Sequence, residues 1–527
     1  MHRRAQDSTP VNSSLIESLL RPDAYPHPVD KVELIETHIS WVLLTGEYVY
    51  KIKKPLDLGF LDFHSLERRR FYCEEEIRLN QPWAPDIYID VVPITISEGA
   101  AQISGSGAPV EYAVRMHSFD QAMRLDQQLE SGNLSVTDMR ELATTLFRRH
   151  GSAAVVARAK RSHTVRRAIE QIEENFDPLD GAIEMTLLGE IREWTTQQLH
   201  QLDTLLRQRF DGGFFRECHG DLHLGNLVRL PGGIATFDCI EFNDDLRNTD
   251  VMADIAFLIM DLVVRQNIGL AAHCLNRYLE LTGDYLGMRV FNLYFTYRCL
   301  VRAKVAVIRS TERDSAGDRQ NDLDEAHQYC ELARRQIRQR VPALMIMTGL
   351  SGSGKTWISG ELMAALPAIR IRSDIERKRS FNLAETAGSD SGLATGIYSI
   401  QASEDVYVRL NAVAQILLAA GHNVILDASF PHVKHRAAAL DTGKRAGAYC
   451  LLLHAVANDS VLRMRILARQ KKRDDASEAD IDVLEFQLRD HEPLTEKEQR
   501  QAIECESDGF DAVRISELIR SSTSKAT

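Results

Sequence analysis

No uninterrupted apolar run in the sequence approaches the roughly 18 residues that cross a bilayer. The richest stretch, Ile255 to Met260, stands between Asp254 and Asp261. The 8 cysteines are scattered, and none form a C-x-x-C pair. That spacing gives no support to a zinc-ribbon or thioredoxin-type reading. Single scattered cysteines fit buried thiols in a reducing compartment. The opening residues, Met1-His-Arg-Arg4 and the polar stretch after them, lack the apolar core of a secretory signal. Cytoplasmic residence, without a membrane partner, is the expectation. There is no internal repeat and no long low-complexity segment. A net charge of −12 counts against a general nucleic-acid binder.

The 527 residues predict two to four domains, at about 100–200 residues each. Apolar residues at 44% and charged residues at 26% match ordinary globular chains and exclude a disordered one. The charge is uneven: residues 341–527 hold 23 Lys+Arg against 25 Asp+Glu, so residues 1–340 carry −10. Five regions are expected: an N-terminal extension 1–30, a domain 31–313, a charged helical linker 314–342, a second domain 343–520 and a disordered tail 521–527. In the first domain, Ile39–Thr45 and Tyr48–Lys53 flank a Gly46-Glu47 turn and read as a hairpin. Ser65–Asn80 reads as a helix, and Ile87–Ile96 and Val110–Met116 as strands. Mainly helical patterns follow over 121–208 and 251–309, around a loop-rich centre at 216–242. In the second domain, strand candidates Leu344–Thr348, Ile369–Arg372, Asn423–Asp427 and Ala448–His454 alternate with helical stretches. Alternation of that kind predicts βαβ units and a parallel sheet.

Gly349-Leu350-Ser351-Gly352-Ser353-Gly354-Lys355-Thr356 matches G-x-x-x-x-G-K-[ST] at every fixed position, after a strand signal and before a helical one. Such a loop curls backbone N–H groups around a phosphate. Lys355 would reach the outer phosphates, and the Thr356 hydroxyl would hold Mg²⁺. Asp427, closing an apolar strand, is the second candidate metal ligand, with a plain strand-end Asp as the other reading. Asp374 is the candidate base for an acceptor hydroxyl, with a helix N-cap as the alternative. Arg465, Arg469 and Arg473 recur every four residues and share a helix face. Arg469 and Arg473 are expected on a lid over ATP, unless the face is simply solvated. This half resembles the P-loop kinases of the zeta-toxin, gluconate-kinase and polynucleotide-kinase type.

The first half carries His219-Gly-Asp221-Leu-His-Leu-Gly-Asn226, then Asp238 after a Pro231-Gly-Gly turn. A loop Asp, an Asn five residues on and an Asp past a hairpin suit phosphoryl transfer. Asp221 would accept the proton of an acceptor hydroxyl. Asn226 and Asp238 would give oxygen ligands to Mg²⁺. The run resembles the catalytic loop of aminoglycoside phosphotransferases and choline-kinase-like enzymes, and Asp254 resembles a later structural Asp of that family. The resemblance implies an ATP-anchoring lysine. Lys51, on the same strand face as Lys53, is the expected one, with Glu76 as its partner and Glu74 and Glu75 as rivals. It implies Val114–Met116 as the hinge between lobes. The Gly-rich loop that covers phosphates in related kinases is missing, and Thr37-His-Ile-Ser40 stands there instead.

The chain as a whole resembles bacterial proteins that fuse an aminoglycoside-phosphotransferase-like half to an AAA-type P-loop half. The expected fold is an α+β protein-kinase-like bilobal domain followed by an α/β P-loop domain with a mainly parallel sheet. The expected function is a tandem phosphotransferase using ATP and Mg²⁺ on small hydroxyl-bearing acceptors. The alternatives are a regulatory protein in which one domain only binds nucleotide, and a polynucleotide or sugar-nucleotide kinase. The near-neutral second half counts against a nucleic-acid groove.

Overall fold

The computed structural model describes residues 10–57, 59, 61–338, 340–385, 387, 396–472 and 477–524. The chain forms two compact units. The first comprises residues 1–134, 148–174 and 203–258, and the second 135–147, 175–202 and 259–527.

The first unit is built on a six-stranded antiparallel sheet. Its spatial order is Glu33–Glu36, Ser40–Leu44, Tyr48–Lys53, Pro109–His117, Tyr88–Ser97, Ala100–Ile103. Strand Tyr48–Lys53 lies inside the sheet, with Lys51 opposite Val42 on one side and Val114 on the other. Its side chains alternate between faces. Tyr50 and Ile52 join Leu43, Ile94 and Ala113 in a core under helix Pro10–Leu19, which contributes Leu15, Ile16 and Leu19. The opposite face packs Val114 and Tyr88 against Cys73 of helix Leu66–Asn80. That helix starts where the Ser65 side chain accepts the Arg68 N–H at 3.3 Å. Past the sheet, the short strand Phe215–Glu217 pairs with Asn248–Asp250, and Leu227–Leu230 pairs with Gly233–Thr236 as a hairpin. The loop 218–226 is held between these pairs.

The second unit holds a five-stranded, wholly parallel sheet. Its order is Ile369–Arg372, Val424–Asp427, Ala343–Thr348, Tyr449–Val456, Ala502–Glu506. The central strand is buried at all six positions, as an apolar run covered on both faces must be. Strand Ala502–Glu506 is an addition to the four expected from sequence. Helices Lys355–Ala365, Ser373–Ser380, Ile400–Ala419 and Val433–Arg445 connect the strands. The closing helix runs from Ala512 to Ser524. Helices Ile268–Thr282, Met288–Thr311 and Ala316–Ile337 belong to the same unit. Among the described residues, no helix is long and apolar enough to cross a membrane.

Arg436 ties the far end of this unit together. It is fully buried. It donates to Glu498 Oε1 at 2.7 Å and to the carbonyls of Phe430 and Pro493 at 3.0 and 3.1 Å. Glu498 also accepts the Thr495 N–H at 2.8 Å in a capping box. Arg436→Ala leaves that carboxylate buried without its counter-charge. The variant is expected to lose about 3–5 kcal/mol, read as a lower urea midpoint; a midpoint unchanged from the parent would contradict this.

Candidate active sites

Lys51 and Lys53 leave the sheet toward helix Leu66–Asn80, and a ring of charge closes around them. Lys51 Nζ donates to Glu76 Oε1 at 2.8 Å and to Asp238 Oδ1 at 2.6 Å. Lys53 Nζ donates to Glu76 Oε2 at 2.7 Å and to Glu241. Lys53 and Glu76 are fully buried. Of the three candidate acids, Glu74 instead pairs with Arg70, and Glu75 with Arg78. Burial raises the Glu76 carboxyl, but Lys51 and Lys53 outweigh it and hold it below the usual carboxylate range. Burial disfavours the Lys51 ammonium, but Asp238 and Glu76 hold it well above the ordinary lysine value. Glu241 was not among the candidates from sequence. The available signal was a second same-face lysine, which needs its own anion if buried.

The His219–Asn226 loop is fixed from behind. Asp254, on helix Val251–Val264, accepts the N–H groups of His219 and Gly220 at 2.8 and 3.0 Å. Gly220 has φ +84°, and a Cβ there would meet the Leu246 carbonyl at 3.0 Å, so only glycine fits. Burial holds the His219 imidazole below its ordinary pKa. The neutral ring donates Nε2–H to the Phe237 carbonyl at 2.9 Å and accepts the Asp221 N–H on Nδ1 at 3.3 Å. Asn226 Nδ2 donates to both Asp221 O and Asp221 Oδ2 at 3.0 Å. His223 Nε2 lies 3.4 Å from Asp221 Oδ2. Asp238 has φ +62°, a strained position for a non-glycine residue, and its N–H donates to the Tyr88 hydroxyl at 3.1 Å.

Lys51, Asn226 and Asp238 line a cleft of about 1010 Å³ beside apolar Val42, Val49, Met116, Phe119 and Phe237, with His223 at its edge; Asp221 is not part of that lining. Thr37 also lines it. Its hydroxyl donates to the Ser40 carbonyl at 3.0 Å and accepts the Ser40 N–H at 2.9 Å, closing a turn that has no glycine. Val114–Met116, expected as the hinge, instead lie within strand Pro109–His117, paired on both sides. The chain leaves the sheet after them, at Ser118.

In the second unit, Gly349–Thr356 joins the central strand to helix Lys355–Ala365. Lys355 Nζ donates to the carbonyls of Gly349 and Leu350 at 2.8 and 2.7 Å. Burial pulls its ammonium down to about 8, with Asp427 and Asp374 opposing that pull. Gly352 has φ +85°, and a Cβ there would lie 2.7 Å from the Leu462 carbonyl. The Ser351 N–H donates to Gln487 Oε1 at 2.8 Å, and the Ser353 hydroxyl is buried. Asp427 ends its strand and accepts from the Ser359 hydroxyl at 3.1 Å. Asp374 sits in the first turn of helix Ser373–Ser380, whose N-cap is Arg372, so Asp374 is not the cap. Arg465, rather than Arg469, touches the loop, donating to the Gly352 carbonyl at 3.4 Å and to Ser507 Oγ at 2.6 Å. Arg469 donates to the Ala479 carbonyl at 2.7 Å. Arg473 lies outside the described residues.

Residues 105–291 match the family model described as "Phosphotransferase enzyme family", and residues 344–494 match the "AAA domain" model. Each match covers about a third of the chain: a kinase-like domain comes first, and an AAA-type P-loop domain with a parallel sheet follows. Uncharacterised proteins of Mycobacterium bovis and Mycobacterium tuberculosis are 27% identical over 461 residues, 86% of this chain and 89% of theirs. Among solved structures, an aminoglycoside 2′-phosphotransferase in complex with GDP aligns with 62% of this chain and 97% of its own, at 15% identity and TM-score 0.38. A choline kinase from Cryptosporidium parvum aligns with 61% and 97%, at 14% identity and TM-score 0.36. A gluconokinase from Sinorhizobium meliloti aligns with 36% and 95%, at 15% identity and TM-score 0.25.

The Lys355 environment makes a direct prediction. A lysine buried without a carboxylate in contact loses its proton earlier than an exposed one. After ¹³C reductive methylation, one lysine signal, absent from Lys355→Met, should titrate near pH 8, with Lys355 charged below that pH and neutral above it. A Lys355 signal titrating with the exposed lysines, near about 10.4, would contradict the burial argument.

Proposed function

We propose that the chain is an ATP-dependent phosphotransferase with two nucleotide sites, each passing the γ-phosphoryl group to a hydroxyl of a small acceptor. The reading rests chiefly on the Lys51–Glu76 pair at 2.8 Å, with Asp238 at 2.6 Å from the same ammonium. That pairing suits a lysine aimed at nucleotide phosphates. The apolar side of the cleft suits a base, and its polar side suits the phosphates.

In the first site, Asp221 accepts the proton of the acceptor hydroxyl as its oxygen bonds to the γ-phosphorus and the bond to ADP breaks. Asn226 holds the Asp221 carboxylate in place through its amide N–H, which leaves its amide oxygen as a ligand. Asn226 and Asp238 are hard oxygen donors bordering one cleft and fit a Mg²⁺ ion. When bound, that ion neutralises phosphate charge. In the second site, the backbone of Gly349–Gly354 and the helix behind it cradle the phosphates, and Lys355 turns to them. Thr356 and Asp427 fit as oxygen ligands of a second Mg²⁺. Asp374 takes the acceptor proton. Arg469 is the lid residue of this proposal, and Arg465 already contacts the loop.

The charge of −10 on residues 1–340 favours a cationic acceptor, such as an aminosugar, for the first site. The glycine-free turn at Thr37–Ser40 favours a second reading, in which that half binds nucleotide and gates the other. Asp221→Asn and Lys355→Met in the full chain separate the two readings, with ATP turnover measured across a panel of sugars, aminoglycosides and nucleosides. Each variant is expected to lose one part of the turnover, by roughly 10²–10⁴-fold for the missing base. If Asp221→Asn changes nothing while Lys355→Met abolishes all turnover, the first half is a binding module.

A further inference from the structure

Strand Ile369–Arg372 stands at one edge of the parallel sheet, yet all four of its residues are buried. An edge strand presents unpaired N–H and C=O groups unless something covers them. Here one side chain pairs with that edge. Asn276, on helix Ile268–Thr282, donates Nδ2–H to the Ala368 carbonyl at 2.9 Å and accepts the Arg370 N–H on Oδ1 at 2.6 Å. Its amide takes the place of a neighbouring strand. One turn along the same helix, Glu280 Oε1 accepts from Arg370 Nη2 at 2.8 Å. Both side chains are buried, at 0% and 5% exposure. Burial raises the Glu280 carboxyl, but Arg370 and Arg372 outweigh it and hold it below the usual range.

The other arm of Arg370 faces the P-loop. Its Nη1 donates to the Thr356 carbonyl and to Ser359 Oγ, both at 3.3 Å. The Ser359 hydroxyl lies 3.0 Å from the Thr356 carbonyl and 3.1 Å from Asp427 Oδ2. A hydroxyl has one proton to give. Arg370 supplies the Thr356 carbonyl with a donor of its own, which frees the Ser359 proton for Asp427. A guanidinium stays charged at any working pH, and a buried one needs a counter-ion. Glu280 is the carboxylate in contact with it.

We propose that Glu280 and Arg370, with Asn276 as anchor, are positioning residues of the P-loop site, orienting Thr356 and Asp427 toward the metal. This rests on reading Thr356 and Asp427 as Mg²⁺ ligands. Helix Ile268–Thr282 falls inside the region that matches the phosphotransferase family model, residues 105–291. A segment outside the AAA-domain match therefore completes the second site. A chain cut at residue 341 would strip Arg370 of both its anchor and its counter-ion.

The test uses the full chain and a fluorescent ATP analogue with Mg²⁺, counting only the binding that Lys355→Met removes. Losing a group that orients a metal ligand costs about 10–100-fold in metal affinity. Glu280→Gln is expected to raise the half-saturating Mg²⁺ concentration roughly tenfold, while Arg514→Ala, at an exposed position of the same unit, leaves it unchanged. In metal-free protein, amide exchange over residues 355–359 should quicken in Glu280→Gln and not in Arg514→Ala. A Glu280→Gln protein that matches its parent in both measurements overturns the proposal. Should Glu280→Gln fail to fold, Ser359→Ala keeps the Glu280–Arg370 pair and must raise the Mg²⁺ requirement by itself; no change there also overturns it. Absence of any Lys355-dependent binding in the parent would instead overturn the functional reading of this half.

Discussion

Taking an ionised side chain out of water costs several kcal/mol unless an opposite charge and hydrogen bonds go with it. That constraint shapes each candidate site. In the first, two lysines enter the interior from one strand face, and Glu76 answers both of them, with Asp238 and Glu241 at the two ends. The ring fixes the helix to the sheet and fixes Asp238, 187 residues further along the chain than Lys51, beside it. Removing one member leaves another charge stranded, so the geometry is held as a set.

The second site meets the same constraint differently. Among the described residues Lys355 has no carboxylate in contact, and it donates to its own loop carbonyls. Its ammonium is correspondingly easy to discharge. Behind the loop a second buried cation is met with a counter-ion: Glu280 neutralises Arg370, and Arg370 braces the first turn of the helix that begins at Lys355. The two sites thus differ in how much of the anionic charge around their lysine is already provided by the protein. A phosphate approaching Lys51 meets an ammonium already shared by two carboxylates; one approaching Lys355 meets an ammonium bonded to the neutral carbonyls of Gly349 and Leu350.

Motifs with a short local period were readable in the amino-acid order. Gly349–Thr356 lies between a buried strand and a helix, as its pattern requires, and Asp221 and Asn226 face each other across one loop. Strand Tyr48–Lys53 and helix Leu66–Asn80 were legible from period-two and capped helical patterns, so Lys51 and Glu76 could be named together. What escaped was settled by distant pairing. Glu241 meets Lys53 across 188 positions, and Asn276 meets Ala368 across 92. Strand Ala502–Glu506 is a half-exposed edge with alternating charge, which no apolar run announces. Val114–Met116 are not a connection between lobes but the continuation of a strand, whose pairing partners lie elsewhere in the chain.

The proposed function requires two separately built nucleotide sites in one chain. The measurement that reaches it most directly is the equilibrium stoichiometry of a non-hydrolysable ATP analogue with Mg²⁺ on the full chain. Two molecules bound per chain, falling to one in Lys355→Met, are expected. A single molecule bound per chain, lost entirely in Lys355→Met, would contradict it.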